Sequence, residues 1–182
     1  MILGDVIMDK FKELYNSDIQ RYSEYLSNWN KKFHYYFRKI QTTKNRIFLL
    51  WYKYKFKRLK QKNGIEIVGH MKVGKGLYLG HPYGITINPN SIIGDNVNIH
   101  KGVSIGQENR GKRKGAPRIG SKVWIGINAT IVGNVTIGDD VLIAPNSFVN
   151  CDVPDHSVVL GNPCRIIHKE NATEGYINDI VE

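Results

Sequence analysis

"RIGSKVWIGINATIVGNVTIGDDVLIAPNSFV", residues 118–149, carries an aliphatic residue at every sixth position: Ile119, Ile125, Ile131, Ile137, Ile143 and Val149. A second small or apolar residue comes four places after each, at Val123, Ala129, Val135, Val141 and Ser147. A period of six fits neither a helix at about 3.6 residues per turn nor hairpin strands that reverse every 8–12 residues or so. It fits a solenoid in which each unit makes one short strand and one turn, and three units close a triangular coil. The aliphatic points inward, and the Gly that often follows it (Gly120, Gly126, Gly138) permits the tight corner.

The beat extends upstream through Ile67, Val73, Leu79, Ile87, Ile93, Ile99 and Ile105. Thirteen beats, three to a coil, predict a mainly β chain of roughly four coils from Ile67 onward. The matches to Asn-x-Ser/Thr at Asn128, Asn134 and Asn171 read as corner and tail residues, not glycosylation sites. Two interruptions break the rhythm. One is a pair of surplus residues around "HPYG", residues 81–84; the other is "QENRGKRKGAPR", residues 107–118, which must leave the wall as a basic loop.

Charge divides the chain in a second way. The net charge is +10, yet residues 1–64 hold fifteen Lys/Arg against five Asp/Glu, while residues 65–182 hold eleven of each. Residues 31–62 carry twelve basic residues and no acid, interleaved with aromatics in "KKFHYYFRK" and "WYKYKFKRLKQK". Three regions are expected: a basic, aromatic helical region over 1–64, the solenoid over 65–168 with a loop protruding at 106–118, and a tail over 169–182. Positions 44–60 read as an amphipathic segment that either caps the prism or lies on an anionic membrane surface. Nothing resembles a groove-reading motif, so nucleic acid is not an expected partner. Asp5 interrupts the first apolar residues, and Ile47–Tyr52 is too short to span a bilayer, so a cytoplasmic protein is expected. The two cysteines, Cys151 and Cys164, read as free, inert thiols.

The stretches "GKGLYLGHPYGITIN", "GVSIG", "PRIGSKVWIG" and "VPDHSVVLGNPCRII" resemble the hexapeptide-repeat acyltransferases, whose fold is a left-handed parallel β-helix. Within that family the chain is most similar to the serine acetyltransferase branch and its relatives that acetylate surface polysaccharides. The resemblance implies acyl transfer from acetyl-CoA, a homotrimer with the site between subunits, and His81 as catalytic base with Glu66 as its carboxylate partner. Physical chemistry agrees with the roles. Transfer to a hydroxyl needs a base that takes the proton as the oxygen attacks the thioester, and imidazole titrates near neutrality. A carboxylate on the far ring nitrogen fixes the tautomer. Glu66 lies fifteen residues before His81, close to one eighteen-residue coil, although the family has Asp there.

For the acetyl-CoA arm, the resemblance implies backbone contacts at Gly106, Gly126, Ile127, Ala144 and Pro145. Trp124 either flanks the arm or is an ordinary packed aromatic. Arg165 and Lys169 are candidates for the nucleotide phosphates. His100 either lines the site or points outward, and His70, His156 and His168 read as surface residues. A metal is not expected, because His70, His81 and His100 are spaced by 11 and 19 with no close pair.

The acceptor is where the chain departs from the family. Serine acetyltransferases place an acid just before the catalytic His and an Arg-His pair in the loop before Pro; here those positions are Gly80, Gly115 and Ala116. A zwitterion left unpaired near a protein wall is costly. The chain also ends in Glu182, where enzymes that dock into cysteine synthase end in an apolar residue. These departures favour a sugar or surface-polysaccharide hydroxyl, with Tyr83 and Asn88 against the ring and Arg110 and Lys112 toward an acidic glycan. Serine O-acetylation is the alternative, and a non-catalytic β-helix scaffold is the alternative of another class.

Overall fold

Ile67, Leu79 and the ten beats from Ile87 to Val149 are buried, and Val73 is partly so. The computed structural model describes residues 3–23 and 25–182, residues 3–8 by backbone alone. Each fully buried isoleucine contributes about 1.5–3 kcal/mol, so the beat alone supplies a dominant share of the driving force. The second positions, Val97, Val103, Val123, Ala129, Val135, Val141 and Ser147, are buried as well.

Strands two to four residues long stack in three rows. One row holds β1 (Lys72–Val73), β4 (Ile92–Ile93), β7 (Arg118–Ile119) and β10 (Thr136–Ile137). A second runs through β2 (Tyr78–Gly80), β5 (Asn98–His100), β8 (Val123–Ile125), β11 (Val141–Ile143), β13 (Ser157–Leu160) and β14 (Arg165–His168). The third holds β3 (Thr86–Ile87), β6 (Ser104–Gly106), β9 (Thr130–Val132) and β12 (Phe148–Val149). Pairing is parallel from coil to coil and sets beat on beat: Ile93 opposite Ile119, Ile99 opposite Ile125, Ile105 opposite Ile131. Antiparallel pairing of β13 with β14 closes the last coil. The loop after β6 folds as a small hairpin, with the backbones of Glu108 and Gly115 exchanging hydrogen bonds of 2.9 Å. Cys151 and Cys164, unrelated in the sequence reading, meet at the far end as free thiols with Sγ atoms 3.8 Å apart.

Three helices precede the wall: α1 (Leu3–Gln20), α2 (Asn28–Thr42) and α3 (Arg46–Gln61). Ser27 caps α2 by accepting from the Asn30 N–H at 3.0 Å, and Asn45 caps α3 by accepting from Ile47 and Phe48. Such caps are each worth about 1 kcal/mol. Phe33, Phe37, Ile40 and Phe56 join the same buried cluster as Ile65, Ile67 and Met71, so the helices sit on the first coil.

A buried charge cluster fixes how they sit. Asp18, His34 and Arg38 are all fully buried. Arg38 donates Nε and Nη2 to the two Asp18 oxygens at 2.7 and 2.8 Å, and His34 Nδ1 lies 3.0 Å from Oδ2. Arg38 also donates to the carbonyls of Val73 and Gly74, while Asp18 accepts the Leu77 N–H at 2.9 Å. Burial alone would raise the Asp18 carboxyl, but Arg38 and His34 hold it below the usual range.

Arg38→Leu is expected to cost about 3–5 kcal/mol, because it leaves a buried carboxylate without its main partner. Urea unfolding measures this, and adding Asp18→Asn to that variant should recover part of the loss. A double variant no better than the single one contradicts this account of the cluster.

Candidate active site

The strand β2 ends at Gly80 and β3 begins at Thr86, and the two surplus residues of the beat lie in the turn between them. Four hydrogen bonds define it. Tyr83 N donates to His81 O at 2.8 Å, and Gly84 N donates to Asn63 O at 2.9 Å. The Asn63 amide donates to Pro82 O at 2.8 Å, and Gly102 N donates to Tyr83 O at 2.9 Å. The corner is therefore pinned from below by Asn63 and from above by Gly102. It holds His81 at φ 50, in the left-handed region, with an exposed side chain. Such a conformation in a non-glycine residue is uncommon and concentrates at functional sites.

His81 opens into a cavity of about 540 Å³. One wall is the outer face of the second row: Tyr78, Asn98, His100 and Trp124. The chain after α1 supplies Arg21 and Tyr22, and the C-terminal tail supplies Tyr176, Asn178 and Asp179. His100 is the second imidazole of the site. It lies beside Trp124 with ring centroids 4.8 Å apart, and its Nε2 is buried without a hydrogen-bond partner among the described residues. Burial, and secondarily the neighbouring His81, push it down to about 4, so it is neutral at physiological pH. His100 also bears on Gly80. A Cβ at position 80 would stand 2.4 Å from His100 Nδ1, so any side chain before His81 would have to displace this imidazole.

Of the expected site residues, His81, Tyr83 and Trp124 line the cavity. Glu66 is exposed and bridges Thr86 in the next coil; no hydrogen bond joins it to His81 in this structure. Asn88 is half-buried and donates to Gln107 at 3.2 Å, away from the cavity. Arg110 and Lys112 stand exposed on the loop hairpin. Among the acetyl-CoA candidates, Gly106, Ile127 and Ala144 are half-buried, Pro145 is exposed and Gly126 is buried. The N–H groups of Gly126 and Ala144 are engaged with Ile143 O and Val159 O at 2.8 Å, within the coil ladder. Arg165 and Lys169 are exposed in and just after β14.

Sequence reading missed Arg21, Asn98, Tyr176 and Asp179, which come from three distant parts of the chain. Asn98 carried the one usable signal, a polar residue next to a beat position on the row that carries His100. The tail folds back across this row. Asp140 accepts from Ala172 N, Thr173 N and Thr173 Oγ1 at 2.9, 3.0 and 2.6 Å. Lower down, the Asn98 amide donates to Tyr176 O, and Asn96 exchanges two 2.9 Å bonds with the Val181 backbone. No group of three or more His, Cys, Asp or Glu side chains among the described residues could hold a metal ion.

Residues 116–151 match the family described as bacterial transferase hexapeptide (six repeats). The chain is 37% identical over 107 residues to a serine acetyltransferase of Helicobacter pylori (strain ATCC 700392 / 26695), covering 59% of this chain and 63% of that protein, less than two thirds of it. The apoenzyme of soybean serine acetyltransferase superimposes with a TM-score of 0.71 at 24% identity, over 90% of this chain and 72% of that one. A serine acetyltransferase from Brucella abortus strain S19 in complex with coenzyme A superimposes with a TM-score of 0.70 at 24% identity, over 91% and 72% of the two chains. The solenoid is thus the left-handed β-helix that the resemblance implies.

These relatives overturn the sugar or polysaccharide acceptor and, with it, the special closeness to polysaccharide-modifying enzymes: the proteins matched are named serine acetyltransferases. The physical reason is that Gly80, Gly115 and Ala116 do not make up the whole pocket. The cavity also draws charge from Arg21 and Asp179, residues outside the repeat.

His100 sets a pH dependence whose sign is fixed. Its folded value lies below the ordinary 6.5, so the unfolded chain holds more protons between pH 6.5 and about 4, and stability declines as pH falls through that window. The loss attributable to this one group is at most about 3 kcal/mol. His100→Leu should leave urea stability at pH 7.5 unchanged or higher, because it removes a buried unpartnered nitrogen, and should flatten the decline toward pH 4.5.

Proposed function

We propose that the chain is an acetyl-CoA-dependent O-acetyltransferase whose acceptor is L-serine, acting as a homotrimer. The observation that carries this reading is the 37% identity over 107 residues to a protein named serine acetyltransferase. It is supported by His81 standing in a left-handed corner at the mouth of the cavity. In this reading His81 takes the proton of the serine hydroxyl as the oxygen bonds to the acetyl carbonyl carbon. The same proton then goes to the departing thiolate sulfur, so the base is regenerated within one turnover. Glu66 orients the imidazole after its side chain swings toward His81 from the adjacent coil. His100, which burial keeps neutral at physiological pH, does not compete with His81 for the proton.

In this reading acetyl-CoA lies along the outer wall between the second and third rows, against the half-buried Gly106, Ile127 and Ala144, with Trp124 flanking the arm. Arg165, Lys169 and the loop residues Arg110 and Lys112 offer cations to its phosphates. Gly106 and Ala144 are small enough for the close backbone approach that an extended arm needs.

His81→Ala should lower kcat with L-serine by about 10²–10⁴-fold while leaving acetyl-CoA binding within a few-fold. Turnover is followed by release of the free thiol. Glu66→Gln should have a milder effect on kcat. Wild-type turnover in His81→Ala removes this residue from the mechanism.

A second property of the same chain concerns its location. On α3, Ile47, Phe48, Leu50, Trp51 and Tyr54 are exposed by 78, 58, 67, 48 and 54%, flanked by exposed Lys44, Arg46, Lys53, Lys55, Lys57 and Arg58. No helix among the described residues is long and apolar enough to cross a membrane. We infer a peripheral contact of α3 with an anionic bilayer, in which the aromatics enter the headgroup layer and each nearby cation adds about 1 kcal/mol. The double variant Leu50→Ser, Trp51→Ser should cut cosedimentation with phosphatidylglycerol vesicles several-fold at low salt. Equal sedimentation of variant and wild type contradicts the contact.

A further inference from the structure

We propose that Arg21 and Asp179 form the charge pair that receives the acceptor's carboxylate and ammonium, in place of the side chains missing at Gly80, Gly115 and Ala116. The inference rests on the serine O-acetyltransferase reading and deepens it. An α-amino acid brought to His81 carries both charges one bond apart from its Cα, with the reacting hydroxyl on the neighbouring carbon. Both partners must therefore lie in the cavity that holds the base, and both must be presented to it when it is emptied of water.

Arg21 and Asp179 meet these conditions. Arg21 is 4% exposed and held by two bonds, Nε donating to Gly76 O at 3.3 Å and Nη2 donating to Asn98 Oδ1. Its Nη1 donates no hydrogen bond among the described residues, and the residue lines the cavity of His81. Asn98 is fixed from the other side by donating to Tyr176 O at 3.2 Å, so one amide locks the arginine and the tail together. Three residues further along, Asp179 enters the same cavity at φ 52, with Val181 clamped to Asn96 just beyond it. The two charges interact, since Asp179 offsets part of the loss of basicity that burial imposes on Arg21, yet no direct ion pair joins them. An opposed cation and anion that sense each other without touching leave a gap whose ends match a zwitterion in sign.

The arrangement also fits the sterics of the wall. Because His100 occupies the space over Gly80, a side chain there would have to displace its ring, and the ammonium partner comes from another segment. The tail is the segment that reaches the cavity from the opposite side. In this chain residues 172–181 are thereby part of the acceptor site, and the tail's anchor on Asp140 is a positioning contact for it.

Calorimetric titration of L-serine into the full chain tests the pair without relying on turnover. Asp179 is exposed and accepts no hydrogen bond among the described residues, so Asp179→Asn should fold as the wild type does. The expected result is at least about tenfold weaker serine binding in Asp179→Asn, with Asp179→Glu intermediate. Binding of 3-hydroxypropionate, which lacks the ammonium, should not distinguish Asp179→Asn from wild type. Arg21→Lys should weaken serine and 3-hydroxypropionate alike and leave ethanolamine unaffected. Equal serine affinity in wild type and Asp179→Asn overturns the proposal, whatever the turnover. Serine binding that depends on Asp179 in a wild-type chain that does not acetylate it supports the pair and overturns the serine O-acetyltransferase reading instead.

Discussion

The buried carboxylate of Asp18 holds the structure's two halves in register. It receives Arg38 and His34 from α2 and the Leu77 N–H from the first coil, so one side chain ties helix, helix and wall at a single point. A carboxylate at zero exposure is stable only when it is fully partnered, and here the partners come from both the helical cap and the wall. Anchoring Asp18 also positions the residues just after it. Arg21 lies less than a turn beyond, and Tyr22 accepts the Leu79 N–H at 2.8 Å while lying 2.9 Å from His34 Nε2. Side chains that face the cavity thus sit on the same network that seats the helices.

The wall contributes a different kind of constraint. Parallel stacking in a fixed register makes each outward position a column: Tyr78, Asn98 and Trp124 stand opposite one another, and His100, opposite Gly80 in the neighbouring column, lies between the Tyr78 and Trp124 rings to give an aromatic face. Tyr176 of the tail packs edge-on against Trp124, with ring centroids 5.1 Å apart. Along this face the repeat can vary its chemistry without touching the core, because inward and outward positions alternate. His100 is one such variation. Its ring takes the volume that a side chain at position 80 would need, and the site has to obtain its negative charge elsewhere. Local sterics at one column thereby decide which distant segment completes the acceptor pocket.

The period of six was readable because every beat residue meets the same demand, an aliphatic side chain filling a prism of fixed width. The corner at His81 was readable for the complementary reason: two residues too many cannot be absorbed by a wall of constant register, so they must bulge. Arg21 and Asp179 carried no such mark. Arg21 sits in a basic, aromatic region whose charge looked like a solvated or membrane-facing surface, and its burial depends on Asn98 and Gly76, neither of which points back to it in sequence. The tail was equally opaque, since apart from the Thr173 hydroxyl on Asp140 the hydrogen bonds that fold it onto Asp140, Asn98 and Asn96 use its backbone, and backbone bonds leave no trace in composition. Gly80, Gly115 and Ala116 were identified correctly as lacking charge. The error lay in treating the repeat and its loop as the whole pocket, which led to a sugar or surface-polysaccharide acceptor that the named relatives contradict.

The central claim is that one chain's helical cap, wall and tail together enclose the acceptor. Hydrogen–deuterium exchange of the full chain with and without saturating L-serine addresses it directly. The account predicts slowed exchange at residues 21–23, at Asn98–His100 and across residues 176–181, with the loop over 107–118 little changed. Protection confined to that loop, with the tail exchanging at the same rate in both states, would contradict it.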